Sequence, residues 1–277
     1  MAKNKVYKDD YSGNLIIAKD SMKRRIMVGI PMTGLLRSEW VISRYGQVIP
    51  CNWSQVDAIH WLDQYSPLGF LVADARNIIA SRCVEEKFEW LFFIDHDTIL
   101  PPTTVLRMNE RMLANKVPMW SGLYFTKSVP SEPLVYRGRG NGFYTKWKMG
   151  DEVWVDGIPM GCTMISSSIL KVLYDESPSY VLNTRVGTFK ARRIFETPSK
   201  TFFDPQKQTW FNATGTEDLA LCSRIMNEGI FKKAGWKEYE GKKYPFMIDT
   251  NIFCRHIDWD GVQYPSKGEE QYFVKGK

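Results

Sequence analysis

Long apolar runs are missing from this 277-residue sequence. None reaches the roughly 18 residues that a membrane-spanning helix needs, so no span is expected. The opening, "MAKNKVYKDDYSGN", has no apolar core of the kind a secretory leader carries, and no leader is expected. Cysteine is sparse: Cys51, Cys83, Cys162, Cys222 and Cys254 are five in number and far apart. An odd set with no C-x-x-C pair argues against a disulfide framework and a zinc knuckle, and predicts a reducing, cytoplasmic setting. No G-x-G-x-x-G and no G-K-[ST] occurs, which excludes a Rossmann dinucleotide site and a P-loop. Internal repeats, low-complexity tracts and Pro/Ser linkers are absent as well. One continuous domain over residues 25–277 is therefore expected, behind a polar tail over residues 1–24.

What is present is ordinary for a globular protein: 44% hydrophobic and 25% charged residues. Aromatic residues reach 14%, with 10 Trp, which suits either a large core or a surface that stacks sugars or bases. The formal charge of +6 suits a nucleotide or nucleic acid, and is also common in proteins that bind neither.

Strand and helix signals alternate through the first 125 residues. "RRIMVGIPMTG" (24–34) reads as a buried strand that stops at Gly-Ile-Pro, and "SEWVISRYGQVI" as a helix capped by Ser38. "VDAIHWL" (56–62) reads as a strand. "ADARNIIASRCVEEKF" is a helix with a stripe of Ala75, Ile78, Ile79, Arg82 and Cys83. "EWLFFID" is apolar on both faces, as a central strand of a covered sheet must be. "TTVLRMNERMLANK" and "VPMWSGLYF" add a helix and a strand. This alternation predicts an α/β fold with a mostly parallel sheet. The second half is less regular. "EVWVDGIPMGCTMIS" reads as strand, turn, strand; "SSILKVLYDE" as a short helix; residues 176–215 as loops. "TEDLALCSRIMNEG" is a helix with acidic residues in its first turn and Gly229 at its end, and "FMIDTNIFCRHID" is a last strand.

Ligands of open α/β sheets bind beyond the carboxyl ends of the strands, and Asp95-His96-Asp97 lies at such an end. Two close carboxylates repel unless a cation sits between them. Mg²⁺ and Mn²⁺ prefer oxygen ligands and bridge to phosphate, so this D-x-D reads as a metal site for a diphosphate. The plain alternative is a pair of solvated loop aspartates. Pro31, Thr33 and Gly34 in "GIPMTG" offer backbone and a hydroxyl to a base or ribose, or else form a simple corner. Arg76, near a helix start, is placed to meet a phosphate, or merely faces solvent. Glu217 and Asp218 suit either the helix dipole or a general base acting on an acceptor hydroxyl. His256 in "FCRHID" is a candidate third metal ligand.

In order, "VGIP", "ARNIIA", "FFIDHDTILPP", "SGLYF", "GIPMGCTMIS", "TEDLALCSRI" and "CRH" resemble the GT-A glycosyltransferases, close to the inverting family-2 type, over residues 26 to about 258. The ordered set is specific; any single piece is not. The resemblance implies a nucleotide-diphospho-sugar transferase fold, with a mostly parallel sheet flanked by helices. Residues 25–125 would bind the nucleotide-sugar and residues 126–277 face the acceptor. It implies Mn²⁺ or Mg²⁺ held with the donor by Asp95 and Asp97, with His256 completing the metal shell. Asp218 becomes the base, Glu217 holds a hydroxyl, and Asp156 and Gly161 line the acceptor side. Two departures stand out. The Q-x-x-R-W pattern of processive family-2 enzymes is absent, which disfavours a polysaccharide synthase. "TED" fits the base motif loosely, which leaves inverting and retaining chemistry both open.

The acceptor is less legible. "YRGRGNG", Lys190, Arg192, Arg193 and "KKAGWK" interleave with Trp147, Trp154, Trp210 and Phe211. Such a pattern makes a modified base in DNA a candidate acceptor beside a saccharide, with Trp210 as a stacking residue. Two other readings compete. One is a metal-dependent nuclease or phosphoryl transferase built on Asp95, Asp97 and Glu217. The other is a nucleotide- or carbohydrate-binding protein without catalysis.

Overall fold

The computed structural model describes residues 5–8, 14–17, 26–32, 34–51, 53, 64–138, 143–184 and 187–266. The expected strand at 56–62 and the candidate donor residue Thr33 lie outside the described residues. Within the segment expected to be a tail, β1 (Lys5–Lys8) pairs antiparallel with β2 (Asn14–Ile17).

The centre is a seven-stranded sheet. Its strands are β3 (Ile26–Gly29), β4 (Gln64–Tyr65), β5 (Trp90–Ile94), β7 (Met119–Leu123), β8 (Glu152–Val155), β9 (Cys162–Ser166) and β14 (Phe246–Phe253). The spatial order is β4-β3-β5-β9-β7-β14-β8. β4, β3, β5, β7 and β14 run one way; β9 and β8 run against them. The sheet is thus mixed but mainly parallel. The strand-turn-strand reading of residues 152–166 holds for the two strands, yet they are not neighbours. β9 sits in the middle and β8 at an edge.

Successive strand residues face opposite sides, and the core divides accordingly. Met27, Leu91 and Phe93 pack on one side with α2 (Val72–Glu85), α4 (Ser167–Glu176) and α5 (Glu217–Asn227). Ile26, Val28, Trp90, Phe92 and Ile94 pack on the other with α1 (Ser38–Tyr45) and α3 (Thr104–Ala114). Helices on both faces explain why β5 is greasy on both. Each such side chain stabilises the fold by about 1.5–3 kcal/mol relative to exposure. Gly29 lets α2 approach closely: a Cβ there would lie 2.3 Å from Ile79 Cγ2. α2 is buried over more than the expected stripe, taking in Arg76, Asn77 and Ser81, whereas Arg82 stays half-exposed.

Three expectations need correction. Ser38 is the first residue of α1 rather than its cap; Arg37 holds the cap position, and no side chain bonds there. The span 176–215 is not loop. It holds two hairpins, β10 (Ser179–Thr184) with β11 (Gly187–Arg192) and β12 (Ser199–Asp204) with β13 (Thr209–Thr214). β12 and β13 are exposed and carry no apolar alternation, whereas in β10 and β11 the more buried Tyr180, Leu182, Phe189 and Ala191 alternate with exposed residues. The last strand is broken at Cys254: beyond β14, β15 (Arg255–Ile257) leaves the main sheet and pairs with β6 (Thr98–Ile99) and β16 (Gln263–Tyr264). No helix among the described residues is long and apolar enough to cross a membrane.

Candidate active site

The small β6-β15-β16 sheet decides where the acidic loop goes. β6 directly follows Asp97, and its Thr98 lies opposite His256 on β15. Ile257 N donates to Asp97 O at 2.8 Å, so His256 is carried to the D-x-D from 159 positions along the chain. The loop's other end is pinned by the core. Asp95 N donates to Gly161 O at 3.0 Å, and the fully buried Trp40 donates Nε1–H to Asp95 O at 2.8 Å. Gly161 N donates to the Tyr124 hydroxyl at 2.7 Å. A Cβ on Gly161 would stand 2.8 Å from that hydroxyl and 2.9 Å from Thr98 Oγ1. Gly161 is buried. What it contributes is a close backbone approach that seats Asp95.

Arg76 is the hub. It projects from the first turns of α2, only 3% exposed. Its Nη2 donates to both Asp95 oxygens at 2.8 and 3.0 Å, and its Nη1 to Glu217 Oε1 at 2.7 Å. The D-x-D loop and the Glu217–Asp218 helix are therefore joined through one guanidinium, which does not face solvent. Burial works against the Arg76 charge, but Asp95, Glu217 and then Asp218 outweigh it and hold the group above the usual arginine range. Glu217 moves the other way for a carboxylate paired with arginine. Burial pushes its pKa up, Arg76 opposes, and Asp218 and Asp95 add repulsion. The two directions agree once the charges are counted. Three carboxylates share one guanidinium, so the cation is over-satisfied and Glu217 under-satisfied.

Asp97 has its own cation. Lys127 Nζ lies 2.7 Å from Asp97 Oδ2 and 3.2 Å from Asp258 Oδ1. Burial alone would raise the Asp97 pKa; His256, Lys127 and His96 outweigh it, and the carboxyl is held below its usual range. His256 Nδ1 bonds the Phe125 carbonyl, and its ring meets Tyr124 edge-on at 4.9 Å. A carbonyl only accepts, so Nδ1 carries the proton and the neutral ring keeps its lone pair on Nε2. Burial pulls the His256 pKa down, more than Asp97 raises it, which favours that neutral form.

These groups pass a fit test for a hard divalent cation in part. A neutral imidazole oriented through its other nitrogen is how proteins prepare a metal-ligating histidine, and Asp97 lies beside it. Five carboxylates here (Asp95, Asp97, Glu217, Asp218, Asp258) share the two cations Arg76 and Lys127, an excess that favours a further positive charge. Asp95 fits less well as a direct ligand, because Arg76 engages both its oxygens. Among the described residues no three His, Cys, Asp or Glu side chains converge on one metal position. Asp97 and His256 would thus hold a cation whose remaining ligands are water and phosphate oxygens, the habit of Mg²⁺.

Two cavities flank the loop and share His96 and Asp97. One, of about 360 Å³, is lined by Pro31, Met32, Phe70, Leu71 and Asp95; the other, of about 660 Å³, by Leu36, Arg37, Lys127, Asp258 and Trp259. Pro31 faces the first, with its carbonyl accepting from His96 Nδ1 at 3.2 Å. Asp156 is buried and accepts from Gly138 N at 2.7 Å, tying down the turn after Tyr136. Tyr136, whose pKa is pushed up to about 12 by burial and then by Asp218, links that turn to the acidic cluster. Trp210 does not join the carboxylates: it stands on β13, 69% exposed, beyond Gly215 and Thr216 from the helix start. Sequence reasoning missed Lys127, Tyr124, Asp258 and Trp40. Only Asp258, two places after His256, had a local signal.

No protein-family model matches the sequence, and no curated protein matches it. Among solved structures the chain is similar to A197 from STIV, with a TM-score of 0.50 at 14% identity, covering 91% of this chain and 92% of that one. That likeness concerns the fold alone. A likeness to S. aureus TarS has a TM-score of 0.34 at 13% identity over 56% of this chain and 30% of that one, and carries no weight.

Proposed function

We propose that this chain is a GT-A-type glycosyltransferase that takes a sugar from a nucleotide-sugar and passes it to an acceptor hydroxyl, with Mg²⁺ or Mn²⁺ at Asp97 and His256. One observation carries the reading. Arg76 joins the D-x-D loop to the Glu217–Asp218 helix beside two cavities, so a charge-handling loop and a candidate base share one site.

The diphosphate of a nucleotide-sugar departs with growing negative charge, and a bound divalent cation stabilises that charge without proton transfer. Asp97 and His256 would hold the cation. Pro31 and its neighbours at the β3 exit receive the nucleoside, in the cavity that Asp95 closes. Asp218 takes the proton of the attacking hydroxyl. Its partner Glu217 is fixed by Arg76 at 2.7 Å and would have to break that pair to move, so its role is to orient a hydroxyl. Asp218 makes no ion pair among the described residues and stays partly exposed. The same pairing weighs against a two-metal phosphoryl transferase, which would need Asp95 and Glu217 open to metals.

A nucleic-acid acceptor draws less support. Arg193 is paired with Glu196, Arg192 lies over Tyr174, and Arg137 is held by the Trp154 carbonyl over Tyr144. Trp147 and Trp154 pack against the core rather than offering free stacking faces. The deciding experiment is a thermal-shift panel of nucleoside diphosphates and nucleotide-sugars, each with Mn²⁺ or with EDTA. A ligand at about 100 times its Kd adds roughly 2.7 kcal/mol of apparent stability. One base should raise the midpoint with Mn²⁺ only, and its sugar derivative should be slowly hydrolysed. No shift from any diphosphate under either condition would overturn the proposal.

A further inference from the structure

The hairpin β12–β13 is an arm that the core does not use. Phe202 lies opposite Phe211, and Phe203 opposite Trp210, so adjacent pairs fall on opposite faces. The Phe202 and Phe211 rings stack at 5.9 Å; Phe203 and Trp210 tilt together at 5.4 Å. Phe202, Phe203 and Trp210 are nonetheless exposed. Among the described residues the hairpin pairs with no third strand. The neighbouring hairpin shows the contrast. β10–β11 lies on α2, with the Tyr180 hydroxyl donating to Asp74 at 2.7 Å and Arg192 N donating to Ser81 Oγ at 2.9 Å. A lone two-stranded hairpin is marginal in water, and folding gains nothing by leaving aromatic rings wet.

The chemistry of the arm selects among occupants. A second copy, or any flat protein partner, would call for aromatics gathered on one face, and these are divided between two. A nucleic acid would call for a basic track. The strands and turn carry Lys200 and Lys207 against Asp204, and the Lys207 ammonium is drawn over the Phe211 ring at 5.1 Å. On the same face as Phe203 and Trp210, and next to them along the strands, stand Thr201 and Asn212, whose hydroxyl and amide match a polyol. Flat rings beside neutral donors and acceptors suit the apolar face and hydroxyl rim of a sugar. The arm also starts where the chemistry is: Gly215 N donates to Pro198 O at 2.9 Å to close its base, and α5 begins two residues later with Glu217.

We propose that β12–β13 is an acceptor-docking arm, and that the acceptor is a neutral oligosaccharide whose rings stack on Phe203 and Trp210. This rests on the transferase reading of the neighbouring site. The test uses the full chain and titrates it with neutral hexasaccharides of glucose, mannose and N-acetylglucosamine, and with an oligothymidylate, at low and high salt. Calorimetry reads binding. The nucleoside diphosphate thermal shift serves as a separate control on fold and donor site. At least one hexasaccharide should bind equally at both salt levels. Trp210→Ala should weaken it by about tenfold or more, the usual cost of truncating an aromatic anchor, with the nucleotide shift unchanged. Because Trp210 is exposed, that variant keeps its fold; Phe203→Leu is the milder second variant and should weaken binding less. Absence of saccharide binding, binding indifferent to Trp210→Ala, or oligothymidylate binding that falls steeply with salt would overturn the inference. Saccharide binding by the arm without any nucleotide shift would sink the transferase reading and leave the arm.

Discussion

Arg76→Met tests the hub of the site. The substitution keeps much of the aliphatic length and removes the guanidinium shared by Asp95 and Glu217. All three groups are mostly buried, with side-chain exposures of 3%, 19% and 11%, so water screens the loss poorly. Removing one partner of a buried pair costs about 3–5 kcal/mol, since a charge is left without compensation. For a chain of this size that corresponds to a midpoint lower by roughly 6–20 °C. The pH dependence is the sharper part. Without Arg76, the folded-state pKa of Glu217, which burial already raises, moves further above its unfolded value. The folded state then binds more protons than the unfolded one between those two values, so stability rises as pH falls through the raised pKa. The deficit should be largest at pH 7 and smaller at pH 5. Adding Glu217→Gln should restore part of it at pH 7, since a neutral amide needs no counter-charge. Urea or thermal unfolding of parent, single and double variants at both pH values provides the measurement. A midpoint loss at pH 7 of under about 2 °C, or a loss that does not narrow at pH 5, would refute the account of Arg76 as a shared counter-charge.

Two further outcomes follow from the geometry. Asp218→Asn should cut sugar transfer by about 10²–10⁴-fold while the Mn²⁺-dependent nucleotide shift persists; near-normal turnover, read by product chromatography, would move the base role to Glu217. Lys127→Met should tighten Mn²⁺ binding by about two- to fivefold, because a partly exposed ion pair competing for Asp97 is worth no more than about 1 kcal/mol. Electron paramagnetic resonance of free Mn²⁺ reads this directly, and unchanged or weaker binding would show that Lys127 does not compete with the cation.

Much of the first half was legible in the sequence. β3, β5, β7, α2 and α3 all carry their signals locally, either as short apolar runs or as helical spacing. The acidic pair at the end of β5 could be recognised for the same reason: a buried strand followed at once by two carboxylates is a local pattern. Glu217 and Asp218 in the first turn of α5 were legible too, although their purpose was not, since the helix dipole would attract the same residues. The hairpin β12–β13 was missed because an exposed strand needs no apolar alternation; β10–β11 alternates at Tyr180, Leu182, Phe189 and Ala191, but the exposed Val181 blurs the pattern. Their turns at Gly187 and at Asp204-Pro205 were the available signals.

What the sequence determined alone was the main helices, the buried strands and the chemical types at their ends, because burial and helix formation select residues over a few positions at a time. Tertiary structure decided the rest. It placed β9 antiparallel between β5 and β7, and so brought Gly161 against Asp95. It folded β15 onto β6, bringing His256 to Asp97, and set Lys127 between Asp97 and Asp258. It turned Arg76, whose plain alternative was to face solvent, into the buried link between Asp95 and Glu217, 122 positions apart. Strand order and ion pairing of this kind depend on groups distant in the chain sharing a low-dielectric space. No local propensity records that, and it exists only once both faces of the sheet are covered.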